Sequence, residues 1–216
     1  MLDSVIGFLS KGGFMMYPLL LSSIIGLSIM IEKMITLRRK KVIIPEIVNV
    51  LDNIKNYEDI DLAISICNKH KGSFANIIKV GLNNKELPKE EIKEVLNDNG
   101  RQEVYTLEKG LSILETIAVI SPLMGLLGTV IGILKVFDVI QTKGMGQANL
   151  MAGGISEALI TTIAGLIIGI PSLIIYNYYT NKAEGLILEI EKYSSSMLRK
   201  IATFKEKKEG TKHNAV

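Results

Sequence analysis

The sequence predicts an all-α polytopic membrane protein: three transmembrane helices, with the long helices extending into a cytoplasmic helical region. Three observations carry this expectation. First, the mean hydropathy is +0.31 although 22% of the 216 residues are charged, so the apolar residues must be segregated from the charged ones. Second, they fall into three blocks, from Phe14 to about Leu37, from about Leu111 to Ile140 and from about Ile155 to Tyr179. Each block reaches the ~20 residues that a helix needs to cross a ~30 Å hydrocarbon core. Third, no block shows the short alternating segments of a membrane β-barrel.

Taken in order, residues 1–13 form an external N-terminal segment with only Asp3 and Lys11 charged. Residues 14–37 are the first transmembrane helix. A cleaved signal peptide would need a positive leader, an apolar core of roughly 7 to 15 residues and a small-residue cleavage site. Here the leader is nearly uncharged, the block is too long, and "TLRRKK" follows it. Residues 38–110 form a cytoplasmic helical region, because Arg38, Arg39, Lys40 and Lys41 open it and short basic loops stay inside. Three- and four-residue apolar spacing in "IPEIVNVLDNI" and "DLAISICNKH" predicts amphipathic helices. "GLNNKELPKEEIKEVL" reads as a turn and then a helix with Pro88 near its first turn, which should feed directly into the second transmembrane helix.

Residues 111–140 are that second helix, and residues 141–154 an external loop whose one basic residue is Lys143. Residues 155–180 form the third helix. The tail, 181–216, holds eight Lys or Arg residues and belongs inside. Its spacing extends the third helix, and "KEKKEGTKHNAV" reads as unstructured. The chain therefore starts outside and ends in the cytoplasm.

Composition excludes several functions. A net charge of +3 without basic–aromatic interleaving argues against nucleic acid. The single cysteine, Cys67, cannot form an intrachain disulfide and reads as packing. His70 and His213 lie apart with no metal-ligand spacing, so no metal and no cofactor is expected. Three helices supply no inverted repeat for a solute transporter.

Within the apolar blocks, lipid offers no hydrophobic force between helices, so close association relies on small residues. Gly125, Gly128 and Gly132 supply them on the second helix, and Gly154, Ala158, Gly165 and Gly169 on the third, with Thr161 or Thr162 in the same stripe. Helix packing alone would account for these glycines. Pro122 and Pro171 remove backbone donors and should kink their helices or free carbonyls, which is tolerable beside a partner or water.

Glu157 is the group that packing does not explain, since a carboxylate facing lipid at the bilayer centre costs ~3 kcal/mol or more. It lies one position before Ala158 and one turn before the threonine pair, so it can share the small-residue side; alternatively it reaches the outer interface. Glu115, Glu32, Lys33 and Lys135 read as interface residues, the last snorkelling outward. Thr129 borders the close-packing face beside Gly128. Its hydroxyl either bonds its own helix or faces a hydrated cavity.

"LETIAVISPLMGLLGTVIGILKVF" followed by "GGISEALITTIAGLIIGIPSLIIYNYY" resembles the MotA, TolQ and ExbB proton-channel family, and the three-helix layout is similar to its ExbB and TolQ branch. The resemblance covers residues 107–180. It implies a proton-channel subunit of an inner-membrane energy-transducing complex, coupling the proton-motive force to a periplasm-facing process such as TonB-dependent transport or Tol-type envelope maintenance. It implies no enzyme activity. The implied assembly is a homopentamer in the bacterial inner membrane whose central pore holds the single helices of an ExbD- or TolR-like partner, with a TonB- or TolA-like protein beyond. By position, Thr129 matches the family's pore threonine, Glu157 its motif glutamate and Thr162 the threonine five residues on. Ser121 stands where the common pattern has alanine before Pro122. A structural membrane scaffold without conduction is the alternative.

Overall fold

A computed structural model of the protein describes residues 12–213, with side chains described through Lys205. Residues 1–11 of the expected external segment and residues 214–216 of the tail lie outside the described part. Among the described residues the regular structure is entirely helical: α1 Met16–Thr36, α2 Arg39–Val42, α3 Pro45–Asn53, α4 Asp59–Lys69, α5 Ser73–Asn83, α6 Lys89–Glu108, α7 Leu111–Lys143 and α8 Ala148–His213. Three of them, α1, α7 and α8, are long and apolar enough to cross a membrane.

The chain divides into two compact units. The first comprises the chain through Lys33 and Gly110–Tyr179, so it contains most of α1, all of α7 and the first half of α8. Its outward residues are large and apolar, among them Leu123, Leu127, Leu134, Ile163, Ile167 and Ile174. That pattern suits lipid or further helices, because no water is needed to satisfy such a surface. Met16 and Leu19 of α1 pack with Ala164 of α8, joined by Met124, Ile160 and Ile168. Further along α1, Gly26 lies beside Leu114 and Ile117 of α7. α1 thus runs antiparallel to α7 and parallel to this part of α8.

The second unit comprises Met34–Lys109 and the chain from Thr180. Helices α3 to α6 bury Ile47, Leu51, Ile60, Cys67, Phe74, Ile78, Leu82 and Ile92, and the second half of α8 buries Ala183, Leu186, Ile190 and Ile201. Phe74 and Tyr193 meet edge to face at 5.5 Å. Lys200 donates to the carbonyls of Leu51 and Asp52, and Lys205 to that of Glu86, so α8 is tied to the end of α3 and to the connection between α5 and α6. This region has a core of its own. Cys67 belongs to it, and burial pushes its thiol up to about 11.

Two expectations about helix limits need correction. The helix beginning after Pro88 does not feed unbroken into α7: it ends at Glu108, and Gly110 adopts a left-handed conformation with φ of 88°. A side chain disfavours that region and glycine does not, so Gly110 suits the turn at which α6 gives way to α7. At the other limit, α8 begins at Ala148, inside the stretch expected as loop, and its backbone stays helical to His213, through most of the tail expected to be unstructured.

Candidate functional site

The site is built on the hairpin of α7 and α8. Small residues face each other along it in an antiparallel register. A Cβ on Gly132 would stand 2.7 Å from Ala158 Cβ and 2.8 Å from the Gly154 carbonyl, and one on Gly128 would overlap the Thr161 side chain. A Cβ on Gly125 would meet the Thr161 carbonyl at 2.9 Å, one on Gly165 the Ser121 carbonyl at 2.5 Å, and one on Gly169 the Pro122 ring at 2.6 Å. Real Cβ atoms do not approach so closely, so at these positions α7 and α8 pack against each other's backbone or side chains because the glycine side chain is absent. Every residue expected in the packing stripe, Gly125, Gly128, Gly132, Gly154, Ala158, Gly165 and Gly169, is buried.

Pro122 lies inside α7 without ending it. It leaves the Ala118 carbonyl without its intrahelical donor, and a Cβ on Gly169 would stand 3.0 Å from that oxygen. The proline and the glycine are therefore matched across the seam. Pro171 lies inside α8 on an exposed face. Ser121 is fully buried, and its hydroxyl has no partner among the described residues.

The three polar candidates take different positions around this seam. Thr162 is half-buried and donates across it to the Gly125 carbonyl at 3.1 Å. Thr129 stands one turn beyond Gly125 on α7, and its hydroxyl donates back to the Leu126 carbonyl at 2.6 Å. At 100° per residue, Thr162 is turned about 160° from Ala164 and Thr129 about 140° from Met124, the residues with which α8 and α7 meet the α1 cluster. Both hydroxyls thus lie on the flank of the seam away from α1. Thr161, the other member of the pair, is buried in the seam and bonds its own helix.

Glu157 lies on the opposite flank, toward α1. Its carboxylate accepts from Lys135 Nζ on α7 with both oxygens, at 2.6 and 2.8 Å. The Glu157 side chain is 18% exposed and that of Lys135 52%. On its other side stands Gly13, where an added Cβ would overlap the carboxylate. Lys135, expected as a snorkelling interface residue, is therefore the partner of Glu157. The pairing follows from the register of the two helices, with Gly132 opposite Gly154 and Ala158, which glycine spacing along either helix alone does not give. Glu115 is exposed, whereas Lys33 is buried beside the Gly110 turn.

The profile of the MotA/TolQ/ExbB proton channel family matches residues 69–192, which include the whole α7–α8 seam. An ExbB-like biopolymer transport protein of Synechocystis sp. is 32% identical over 171 residues, 77% of this chain and 66% of that protein. A biopolymer transport protein ExbB homolog of Methanothermobacter thermautotrophicus is 30% identical over 202 residues, 88% of this chain and 70% of that one. The Tol-Pal system protein TolQ of Pseudomonas aeruginosa is 41% identical over 86 residues, 40% of this chain and 37% of that protein. The chain thus spans about two thirds of the first two relatives and a smaller part of the third. With its three apolar helices, its seam of small residues and a family match over more than half its length, the chain belongs to the MotA/TolQ/ExbB proton channel family.

Proposed function

We propose that the chain is the proton-channel subunit of an inner-membrane energy-transducing complex. The proton-motive force drives protons along a path bordered by α7 and α8, and the resulting motion is passed to a periplasm-facing process such as TonB-dependent transport or Tol-type envelope maintenance. Several copies, five by the family resemblance, place the Thr129 and Thr162 flanks around a common pore holding the single helices of an ExbD- or TolR-like partner. The amino terminus lies outside and the tail in the cytoplasm. Glu157, the motif glutamate by the family resemblance, lies on the opposite flank of the seam and serves proton transfer from outside the pore that Thr129 and Thr162 border.

One observation carries this reading. Two hydroxyls occupy one flank of a closely packed apolar hairpin, with large apolar residues around them, on the side that α1 leaves uncovered. A hydroxyl both donates and accepts, so it can pass a proton along a water chain without carrying charge itself. A non-conducting scaffold is the second reading, favoured by the back-bond from Thr129 to its own helix.

Proton uptake by vesicles containing the purified complex, with and without the partner, separates the two. The expected result is uptake only with the partner, reduced at least tenfold by Glu157→Gln in intact complexes. Equal rates in protein-free vesicles and in vesicles with the full complex would leave the scaffold reading.

A further inference from the structure

We propose that Arg38, Lys40 and Lys41 form a surface that binds the anionic headgroups of phospholipids at the end of α1, in a turn held to α8 by Arg39. This role goes beyond the proton-channel reading and does not depend on it.

The length of α1 sets the depth of the cluster. Its 21 residues span about 32 Å at 1.5 Å per residue, close to the ~30 Å of a hydrocarbon core. The residues that follow therefore stand at the level of the headgroups. In the last turn of α1, Met34 and Ile35 are 52% and 46% exposed, an apolar surface suited to acyl chains. Arg38, Lys40 and Lys41 come directly after and are exposed as well. Apolar surface and cations thus follow one another in the order in which a lipid carries its acyl chains and its phosphate. Glu32 and Lys33, just before, cancel in formal charge.

The turn is built to keep these cations outside. In α2 the Lys41 and Val42 amides donate to the Arg38 carbonyl at 2.8 and 3.1 Å, and the Ile43 amide to that of Arg39 at 2.8 Å. Leu37 on one side and Val42, Ile43 and Ile44 on the other are buried, so both ends of the turn are anchored and the lysines lie outward between them. Arg39 has a different task. Its guanidinium donates to both oxygens of Glu189 on α8, from Nε at 2.9 Å, so its charge is matched within the protein. Arg38 spends its Nε on the Met34 carbonyl at 3.2 Å, which leaves the other N–H groups of its fork for an acceptor. One guanidinium fork and two ammonium groups suit a phosphate diester, the fork by geometry and the lysines as point charges. Cations this close to an anionic membrane surface lie within the screening length, so they are attracted to it.

The test reads the protection of lysine amines in the full-length complex. The detergent-solubilised complex is titrated with phosphatidylglycerol or phosphatidylcholine and treated with an acetylating reagent. Modification of Lys40 and Lys41 is measured by mass spectrometry, with the exposed Lys69 and Lys71 as internal references. In the wild type, phosphatidylglycerol should slow modification of Lys40 and Lys41 at least fivefold relative to phosphatidylcholine and leave the references unchanged. The phosphatidylglycerol needed for half-protection of Lys40 should rise about fivefold in Arg38→Gln and in Lys41→Gln, and stay near wild type in Lys41→Arg. Should a neutral variant fail to assemble, the wild-type comparison of the two lipids decides. Equal protection by both lipids, equal protection of the references, or the same protection by inorganic phosphate without lipid would each overturn the proposal. Protection that is unchanged in both assembled neutral variants would overturn it too.

Discussion

The two threonines make different bonds, and their valine variants should separate. Val keeps nearly the shape of Thr without its hydroxyl. In Thr162→Val the bond to the Gly125 carbonyl across the seam is lost, a change of about 0.5–1.5 kcal/mol in hairpin stability. In Thr129→Val only a bond to the residue's own helix is lost, so stability should be unchanged or slightly higher. Proton uptake by assembled complexes should fall in both if both hydroxyls border the path. Wild-type uptake in both would remove the threonines from it, and a fall in Thr162→Val alone would confine the path to the cross-helix bond.

At the scale of the element, the same substitution has opposite effects along α8. Gly165 faces α7, where a Cβ would meet the Ser121 carbonyl at 2.5 Å and Gly125 Cα at 3.1 Å. Both neighbours are backbone and cannot turn aside, so the helices must separate. Gly165→Ala should therefore lower the stability of the complex by about 1–3 kcal/mol. Gly185 lies in the same helix with nothing within 4 Å of its Cβ position. Gly185→Ala should raise stability by up to about 1 kcal/mol, because alanine restricts the unfolded chain and suits a helix. Thermal unfolding of the two detergent-solubilised variants checks both signs, and equal shifts would contradict the close-packed seam.

At the scale of the whole molecule, the second unit should weaken in acid. The Arg39 guanidinium hydrogen-bonds to Glu189, and this bond, aided by the charge of Arg39, holds the carboxyl below the usual carboxylate range. A depressed carboxyl stabilises the folded state above the unfolded pKa of about 4.5. That contribution is lost as the pH falls through the lower folded value. The melting temperature of the complex should fall below about pH 4.5, and less steeply in Arg39→Met. An identical acid profile in the variant would assign the acid response to other carboxylates. Orientation is testable in the same complex. In a Cys67→Ala background, Met145→Cys, at an exposed position in the α7–α8 connection, should react with a membrane-impermeant thiol reagent added outside intact cells. Leu188→Cys, exposed on the later part of α8, should react only after the cells are opened, and the reverse pattern would invert the proposed topology.

Which parts of this protein could be read without coordinates follows from the range of the forces involved. Membrane helices satisfy their backbone bonds within a single segment, so composition and length along the chain suffice to find α1, α7 and α8. Glycine spacing at three and four residues likewise marks the close-packing stripes, because the helix repeat brings those positions onto one side. The left-handed turn at Gly110 was less legible: glycine permits that conformation without requiring it, and Gly100, also a glycine, stays inside α6. The pairing of Lys135 with Glu157 and the crossing bond from Thr162 to Gly125 were decided by the tertiary structure alone. Each joins residues on different helices, and whether two such groups meet depends on the register and rotation of α7 against α8. Those are set jointly by close contacts at Gly125, Gly128, Gly132 and Gly165, whereas local spacing records only one helix at a time.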